Sequence, residues 1–253
     1  MSLFQIPPPT RYDLRFSIFG IPVRVHPLFW LIALLLGSSS TNFMDVLIWV
    51  VAIFISILIH ELGHALAMRW FGQSSQIILH FAGGLTTPQP AAWGSGWANV
   101  ALTANQEIFI TLAGPGAGFL FAAILLALTG ILGGSIVITT LLGFIPMPIA
   151  GFPGGNSVIN LLIVSLLWVN IFWGLINLVP VHPLDGGNVA RHLFIKSNPW
   201  DGLRKSLWLS VIAGGVVAVV GLVFLRSIYM AFMFGFLAFQ SYQMLQGGIG
   251  RGY

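Results

Sequence analysis

Two histidines and a glutamate at the end of a long apolar run have the residue types and spacing of a metal-dependent hydrolytic site. His60 and His64 are four residues apart, so on a helix they share one face, with Cβ atoms about 5–6 Å apart. Both imidazoles can then reach one zinc ion at roughly 2.0–2.1 Å. Glu61 follows His60 directly and is placed to take a proton from a zinc-bound water. The pattern therefore predicts a zinc site with its own general base.

The surroundings of this H-E-x-x-H pattern favour a functional role over a structural one. Residues Val46–Ile59 carry no charge, which predicts that the pattern lies in a membrane helix. An ionisable side chain at the centre of such a helix costs on the order of 2.5–3.5 kcal/mol and is functional by default. The chain has six His and only two Glu, so composition alone would produce the pattern roughly 0.001 times.

The composition is that of a polytopic membrane protein. The chain is 57% apolar and 6% charged, with a mean hydropathy of +0.94, whereas soluble domains are about 25% charged. At about 20 residues for each crossing of the bilayer, the chain has room for about five to seven spans. The absence of cysteine excludes disulfides, thiolate zinc ligands and a cysteine nucleophile. No basic stripe or aromatic–basic module supports nucleic-acid binding, so the expected partner surface is the lipid bilayer.

The apolar runs predict an all-α polytopic membrane protein of about six transmembrane helices, with a small membrane-associated β-hairpin or strand region after the second helix. Residues 1–24 are expected to form a cytoplasmic segment without the pattern of a signal peptide. Residues 25–246 form the membrane-embedded core, and 247–253 a short tail. An outer loop is expected at 130–156 and a polar inner loop at 181–205. The predicted spans are 25–43, 46–68, 108–128, 158–178, 206–225 and 228–245.

The distribution of basic residues predicts the orientation, because Lys and Arg are enriched on the cytoplasmic side. With six spans and both termini inside, the ten basic residues divide nine to one, and Arg226 alone falls outside. This bias predicts cytoplasmic termini and places His60 and His64 toward the cytoplasmic half of the membrane. The nine residues expected inside are Arg11, Arg15, Arg24, Arg69, Arg191, Lys196, Arg204, Lys205 and Arg251.

A catalytic zinc site needs a third protein ligand and keeps a fourth position for water. Asp185 lies where the fourth predicted span meets the inner loop, on the same side as the two histidines. Glu107 is the other candidate, as in metalloproteases that use a downstream glutamate. Both acids fall on the inner side, so charge alone does not separate them. Pro183 and Gly186 bracket Asp185 and fix the chain there, whereas Glu107 opens a helix, where the macrodipole favours an acid.

The sequence resembles the site-2 protease family of intramembrane zinc metalloproteases. The resemblance rests on four stretches, which are H-E-L-G-H at 60–64, A-G-P at 113–115, N-x-x-P-x-x-P-L-D-G-G at 177–187 and F-G-I-P-V-R-V-H-P at 19–27. It implies that one zinc ion is bound by His60, His64 and Asp185 and that Glu61 is the general base. It further implies that the substrate or the oxyanion lies near Asn177, Gly83 and Gly84.

The resemblance also implies a reaction and a location. The protein would be an endopeptidase in a prokaryotic cell membrane that cuts a peptide bond in or near the transmembrane segment of a membrane-spanning protein. A strand edge at Gln76–Phe81 is expected to hold the unwound substrate by β-augmentation. Alternatives are a zinc-binding membrane scaffold without turnover, which has no need of Glu61, and a metalloprotease of the glutamate-ligand type. An ion transporter is a further alternative, although no inverted repeat of broken helices is visible.

Overall fold

The structure is a computed structural model, and it describes residues 7–37, 42–89, 101–141, 143 and 145–249. Within these residues the chain is mostly helical and contains two small β-sheets. It divides into two compact units. The first consists of the described parts of 1–101, 113–139 and 146–174, and the second of the described parts of 102–112, 140–145 and 175–253.

The first unit contains a four-stranded sheet. Its strands are β1 (Leu14–Ile18), β2 (Ile21–Val25), β3 (Ser75–His80) and β4 (Gly83–Pro88), in the order β1-β2-β3-β4. The β1–β2 and β3–β4 pairs are antiparallel hairpins, and β2 pairs with β3 in parallel. The β1–β2 turn places Phe19 at φ 51° and Gly20 at φ 76°, the left-handed conformation that two-residue hairpins favour.

Two helices of the first unit pack with this sheet. Helix α1 spans Pro27–Gly37, and helix α2 spans Phe43–Trp70. The side chain of Asn42 caps α2 by accepting a hydrogen bond from the Met44 amide, which satisfies one of the free donors at a helix N-terminus. A buried apolar cluster joins sheet and helices, and it includes Val23, Val25, Phe29, Ala33, Ile53, Ile57, Leu58, Ala65, Ile77 and Leu79. The sheet thus rests against the helix that carries the predicted zinc motif.

The middle of the chain adds two long helical segments and a second sheet. Helix α3 spans Ala104–Ile131 and contains Pro115. Strands β5 (Ser135–Leu141) and β6 (Ile145–Gly151) form a two-stranded sheet. Helix α4 (Ser157–Trp168) continues through a π-helical turn, Val169–Trp173, into the short helix α5, Gly174–Asn177.

The second unit contains the last three helices, α6 (Asp185–Ser197), α7 (Gly202–Val223) and α8 (Ile228–Ile249). Four residues connect α7 to α8, and a connection of this length makes the two helices antiparallel neighbours. Gly214 of α7 lets the backbone of α8 approach, since a Cβ there would lie 3.1 Å from Cβ of Ala238. Fully buried Phe234 and Leu237 fill the interface.

Five of these helical segments are long and apolar enough to cross a membrane: α2, α3, α4 to α5, α7 and α8. In its described part the protein is therefore mostly helical, with five candidate membrane spans and two small β-sheets. The predicted β-hairpin after the second helix is confirmed as β3 and β4. The predicted count of six is not confirmed, because the helix described within 25–43 is the 11-residue α1, about 16 Å long.

Other sequence expectations are corrected. The segment at 130–156, expected as an outer loop, contains the end of α3 and the β5–β6 hairpin. The inner loop at 181–205 contains helix α6, and the N-terminal segment contributes β1 and β2 to the sheet. Strand β3 lies between β2 and β4, so the expected free edge at Gln76–Phe81 is wrong. Residues 1–6, 38–41 and 250–253, which belong to the predicted N-terminal segment, first span and tail, lie outside the described residues.

Candidate active site

The two histidines of the motif converge on one point beside α2. Their Nε2 atoms lie 3.1 Å apart, and the ring centroids are 4.8 Å apart with a 78° angle between the planes. Two nitrogens that bind one tetrahedral zinc at 2.0–2.1 Å would be separated by about 3.3 Å. The His60–His64 pair therefore already has close to the separation that a shared zinc ion needs.

Small residues on α3 make room for the His64 ring. A Cβ at Gly114 would lie 2.2 Å from Nε2 of His64, and a Cβ at Gly63 would lie 2.3 Å from the Ala113 carbonyl oxygen. A Cβ at Gly63 would collide with main-chain atoms, and one at Gly114 would force the His64 ring to move, because real Cβ atoms do not approach other atoms that closely. The A-G-P run and the glycine within the H-E-L-G-H motif thus permit a backbone-to-backbone contact that places α3 directly against the ring of a predicted ligand.

Glu61 points toward strand β4. Glu61 is buried, with 5% of its surface exposed. The Thr86 hydroxyl lies 2.6 Å from Oε2 of Glu61 and 3.1 Å from its main-chain oxygen. A Cβ at Gly84 would lie 2.4 Å from Oε1 of the same carboxylate. Strand alternation puts residues 84 and 86 on one face, so β4 lines the carboxylate of the predicted base. Gly83, also predicted to border the substrate, opens this strand with φ 118°.

In the second unit, Asp185 is the first residue of α6, and two glycines follow it. A Cβ at Gly186 would lie 2.1 Å from the Leu178 carbonyl oxygen, and one at Gly187 would lie 2.4 Å from the Val181 carbonyl carbon. The side-chain amide of Asn188 donates a hydrogen bond to the Pro183 carbonyl. The preceding loop therefore folds onto the first turn of α6 and fixes Asp185 at the helix N-terminus. Asn177, the predicted substrate contact, is the last residue of α5 and directly precedes this loop.

His60 and His64 of the first unit offer two imidazole nitrogens, and Asp185 of the second unit offers a carboxylate. Two imidazoles and a carboxylate are a donor set that suits zinc and leaves a fourth position open. Glu107, the rival third ligand, belongs to no group of three possible metal ligands among the described residues. It lies in the first turn of α3, and its charge affects the pKa of His192. Burial and Arg191 lower the pKa of His192, and the charge of Glu107 opposes that shift.

A buried polar pair that the sequence reasoning missed lies one turn before His60. The side-chain amide of Asn170 donates to the Ser56 hydroxyl at 2.8 Å and to the Leu166 carbonyl at 2.8 Å. Asn170 is 4% exposed and sits in the π-helical turn, and such turns are frequent at functional sites. Ser56, His60 and His64 are spaced four residues apart and therefore share one face of α2. The sequence signal was a polar Asn in a predicted span without formal charge.

Two further histidines, His80 in the sheet and His182 in a loop, lie in buried surroundings. His80 ends β3, is 3% exposed, and its Nδ1 accepts a hydrogen bond from the Ala82 amide. Burial lowers its pKa, and the nearby His26 and Arg24 lower it further. Burial likewise lowers the pKa of His182, with a smaller effect from Arg191.

Comparison with known proteins identifies the family. The sequence model described as peptidase family M50 matches residues 48–218. A zinc metalloprotease of Methanocaldococcus jannaschii is 27% identical over 219 residues, 84% of this chain and 54% of that protein. A relative from Synechocystis, assigned by its name to the zinc metalloproteases, is 31% identical over 191 residues, 70% of this chain and 42% of the relative. The chain therefore belongs to peptidase family M50, and it spans about half the length of these curated relatives.

A solved structure agrees with this assignment at the level of the fold. The site-2 protease from Methanocaldococcus jannaschii superposes with a TM-score of 0.54 at 23% identity, covering 92% of this chain and 95% of the other. The resemblance to the site-2 protease family that the sequence motifs carried is thereby confirmed.

Proposed function

We propose that the chain is a zinc-dependent intramembrane endopeptidase, which hydrolyses a peptide bond in or near the transmembrane segment of a membrane protein. The observation that carries the proposal is the arrangement on α2. Within one apolar 28-residue helix, two imidazoles converge at 3.1 Å and a buried carboxylate follows the first of them. A scaffold that only bound zinc would have no use for this carboxylate. The relatives are named as zinc metalloproteases, which supports catalytic turnover.

The proposed zinc ligands are His60, His64 and Asp185, with Glu61 kept free of the metal. This assignment is supported by the donor set and by the glycines that hold Asp185 at the start of α6. Zinc bound there would supply a Lewis acid for the scissile carbonyl and a water of lowered pKa. Glu61 would accept the proton of that water on its carboxylate and later deliver it to the leaving amine. Asn177 is proposed to donate a hydrogen bond to the substrate or the oxyanion.

The substrate is proposed to lie along β4 rather than along β3. A transmembrane helix hides its carbonyls in internal hydrogen bonds, so the segment to be cut must unwind before attack. Among the described residues β4 pairs with β3 alone, which leaves its second edge available for an extended segment. Gly83 and Gly84 begin this strand, and without side chains they let a second backbone approach closely.

The proposed topology keeps six crossings and both termini in the cytoplasm of a prokaryotic cell. Helix α1 is apolar but shorter than the five candidate spans. A crossing within the predicted first span, 25–43, would complete the even number that termini on one side need. The charge asymmetry around these spans supports this orientation.

The decisive experiment compares wild type with Glu61→Gln in cells. The glutamine keeps size and hydrogen bonding but loses the base, so we expect zinc per chain to be unchanged by mass spectrometry. Fragments cut within apolar segments should appear in membranes with wild type and be missing with Glu61→Gln, as read by proteomic identification of new termini. Identical sets of fragments in the two membranes would refute the endopeptidase and leave a zinc-binding scaffold.

A further inference from the structure

The hydroxyl of Thr86 ties strand β4 to the carboxylate of Glu61. Oγ1 of Thr86 lies 2.6 Å from Oε2 of Glu61 and 3.1 Å from the Glu61 main-chain oxygen. A threonine hydroxyl has a single proton to donate, and Oε2 of Glu61 is the nearer of its two acceptors. The contact joins residues 25 positions apart in sequence and belongs wholly to the first compact unit.

The surroundings of this contact restrict Glu61 to one position. Thr86 is held in register by Ile77 of the central strand, and Gly84 by Leu79. On the same face of β4, Gly84 lies against the carboxylate, since a Cβ there would come within 2.4 Å of Oε1. Oε2 is thus occupied by the Thr86 hydroxyl, whereas Oε1 faces a residue that has no side chain. A glutamate with three rotatable bonds would otherwise sample several rotamers.

We propose that Thr86 is a positioning residue, which holds Oε2 of Glu61 so that Oε1 is the oxygen presented to the attacking water. The inference rests on the proposed function, because it concerns the base of that reaction. It adds a coupling between two parts of the site. The strand proposed to receive the substrate also sets the geometry of the base, and misplacement of a catalytic group by about 1 Å can cost a hundredfold in rate.

The test uses three substitutions on neighbouring residues of β4. Thr86→Val keeps the shape of the side chain and removes the donor, while Thr86→Ser keeps the donor. Thr87→Val is the matched control, because Oγ1 of Thr87 is buried without a hydrogen-bond partner and alternation puts it on the other face of the strand. The probe is a single-span reporter with a fluorophore and a central Asn-Pro pair, which unwinds the helix locally.

We expect Thr86→Val to lower kcat about ten- to a hundredfold, as loss of a supporting hydrogen bond in a metal site does, with KM and zinc content unchanged. Thr86→Ser should restore kcat to within about threefold, and Thr87→Val, which keeps the hydroxyl at position 86, should lower kcat far less than Thr86→Val does. A purely structural role for the strand would instead raise KM or lower zinc content, and it would affect the two valine variants alike. Wild-type kcat in Thr86→Val would overturn the inference.

A second measurement does not depend on cleavage. Thermal unfolding is followed for Thr86→Val, for Glu61→Leu and for the double variant. If the hydroxyl and the carboxylate are bonded, the double variant should lose less in Tm than the sum of the single losses, and additive losses would overturn the inference. If wild type and Glu61→Gln leave the reporter equally intact, the proposed function fails, and the unfolding cycle still decides the Thr86–Glu61 contact.

Discussion

The close approach of α3 to His64 gives a quantitative test of the zinc site. Alanine at Gly114 would place a Cβ 2.2 Å from Nε2 of His64, about 1.2 Å closer than the 3.4 Å at which ordinary contact begins. The backbones of α2 and α3 already touch at Gly63 and Ala113, so the relief must come from the ring. Zinc–nitrogen distances tolerate changes of about 0.2 Å. A ring displaced by several times that distance no longer binds the metal.

We therefore expect Gly114→Ala to lower zinc affinity at least about a hundredfold, measured as zinc per chain across a series of buffered free-zinc concentrations. Gly116→Ala is the control, because a Cβ there meets nothing within 4 Å. Both substitutions lie within α3 and gain the same helix propensity of up to about 1 kcal/mol, so the difference between them isolates the clash. Wild-type zinc affinity in Gly114→Ala would refute the assignment of His64 as a ligand.

Two further outcomes are expected. Asp185→Ala should lower zinc affinity and abolish cleavage, whereas Glu107→Ala should keep most of both; the opposite result would make Glu107 the third ligand. In the native chain, which has no cysteine, single cysteines introduced at Ser2 and Gly252 should both react with a membrane-impermeant thiol reagent only when it is applied from the cytoplasmic side. Labelling from opposite sides would mean an odd number of crossings and contradict the proposed topology.

Features that depend on residues close in sequence were predictable. The spacing of His60 and His64 fixes a shared helical face wherever the helix lies, and the apolar run before them fixes a membrane helix of sufficient length. The hairpin after α2 follows from β-prone residues that end at Gly83-Gly84. The family also followed from the sequence, because its motifs are local strings of residues with special chemistry. Each of these inferences needs only the periodicity and chemistry of one segment.

Features that depend on partners far apart in sequence were not predictable in the same way. Residues 21–25, near the N-terminus, are assigned by the sequence to a cytoplasmic segment and the start of a span, since five residues carry little periodicity. Pairing with β1 and with β3 makes them strand β2. Because β2 pairs with one edge of β3, the free edge of the β3–β4 hairpin is that of β4. The Asn170–Ser56 bond joins residues 114 positions apart, and nothing in either segment names the other.

The sequence by itself determined the family of this protein, through the H-E-x-x-H motif and the run that contains Asp185. Tertiary structure alone decided how Glu61, the predicted base, is held. Thr86 sits in a stretch that reads as a turn and a strand end, and its hydroxyl is an ordinary side chain until β3 places β4 against α2. The physical reason is that a hydrogen bond depends on distance and angle, and the fold sets both through contacts between segments remote in the chain.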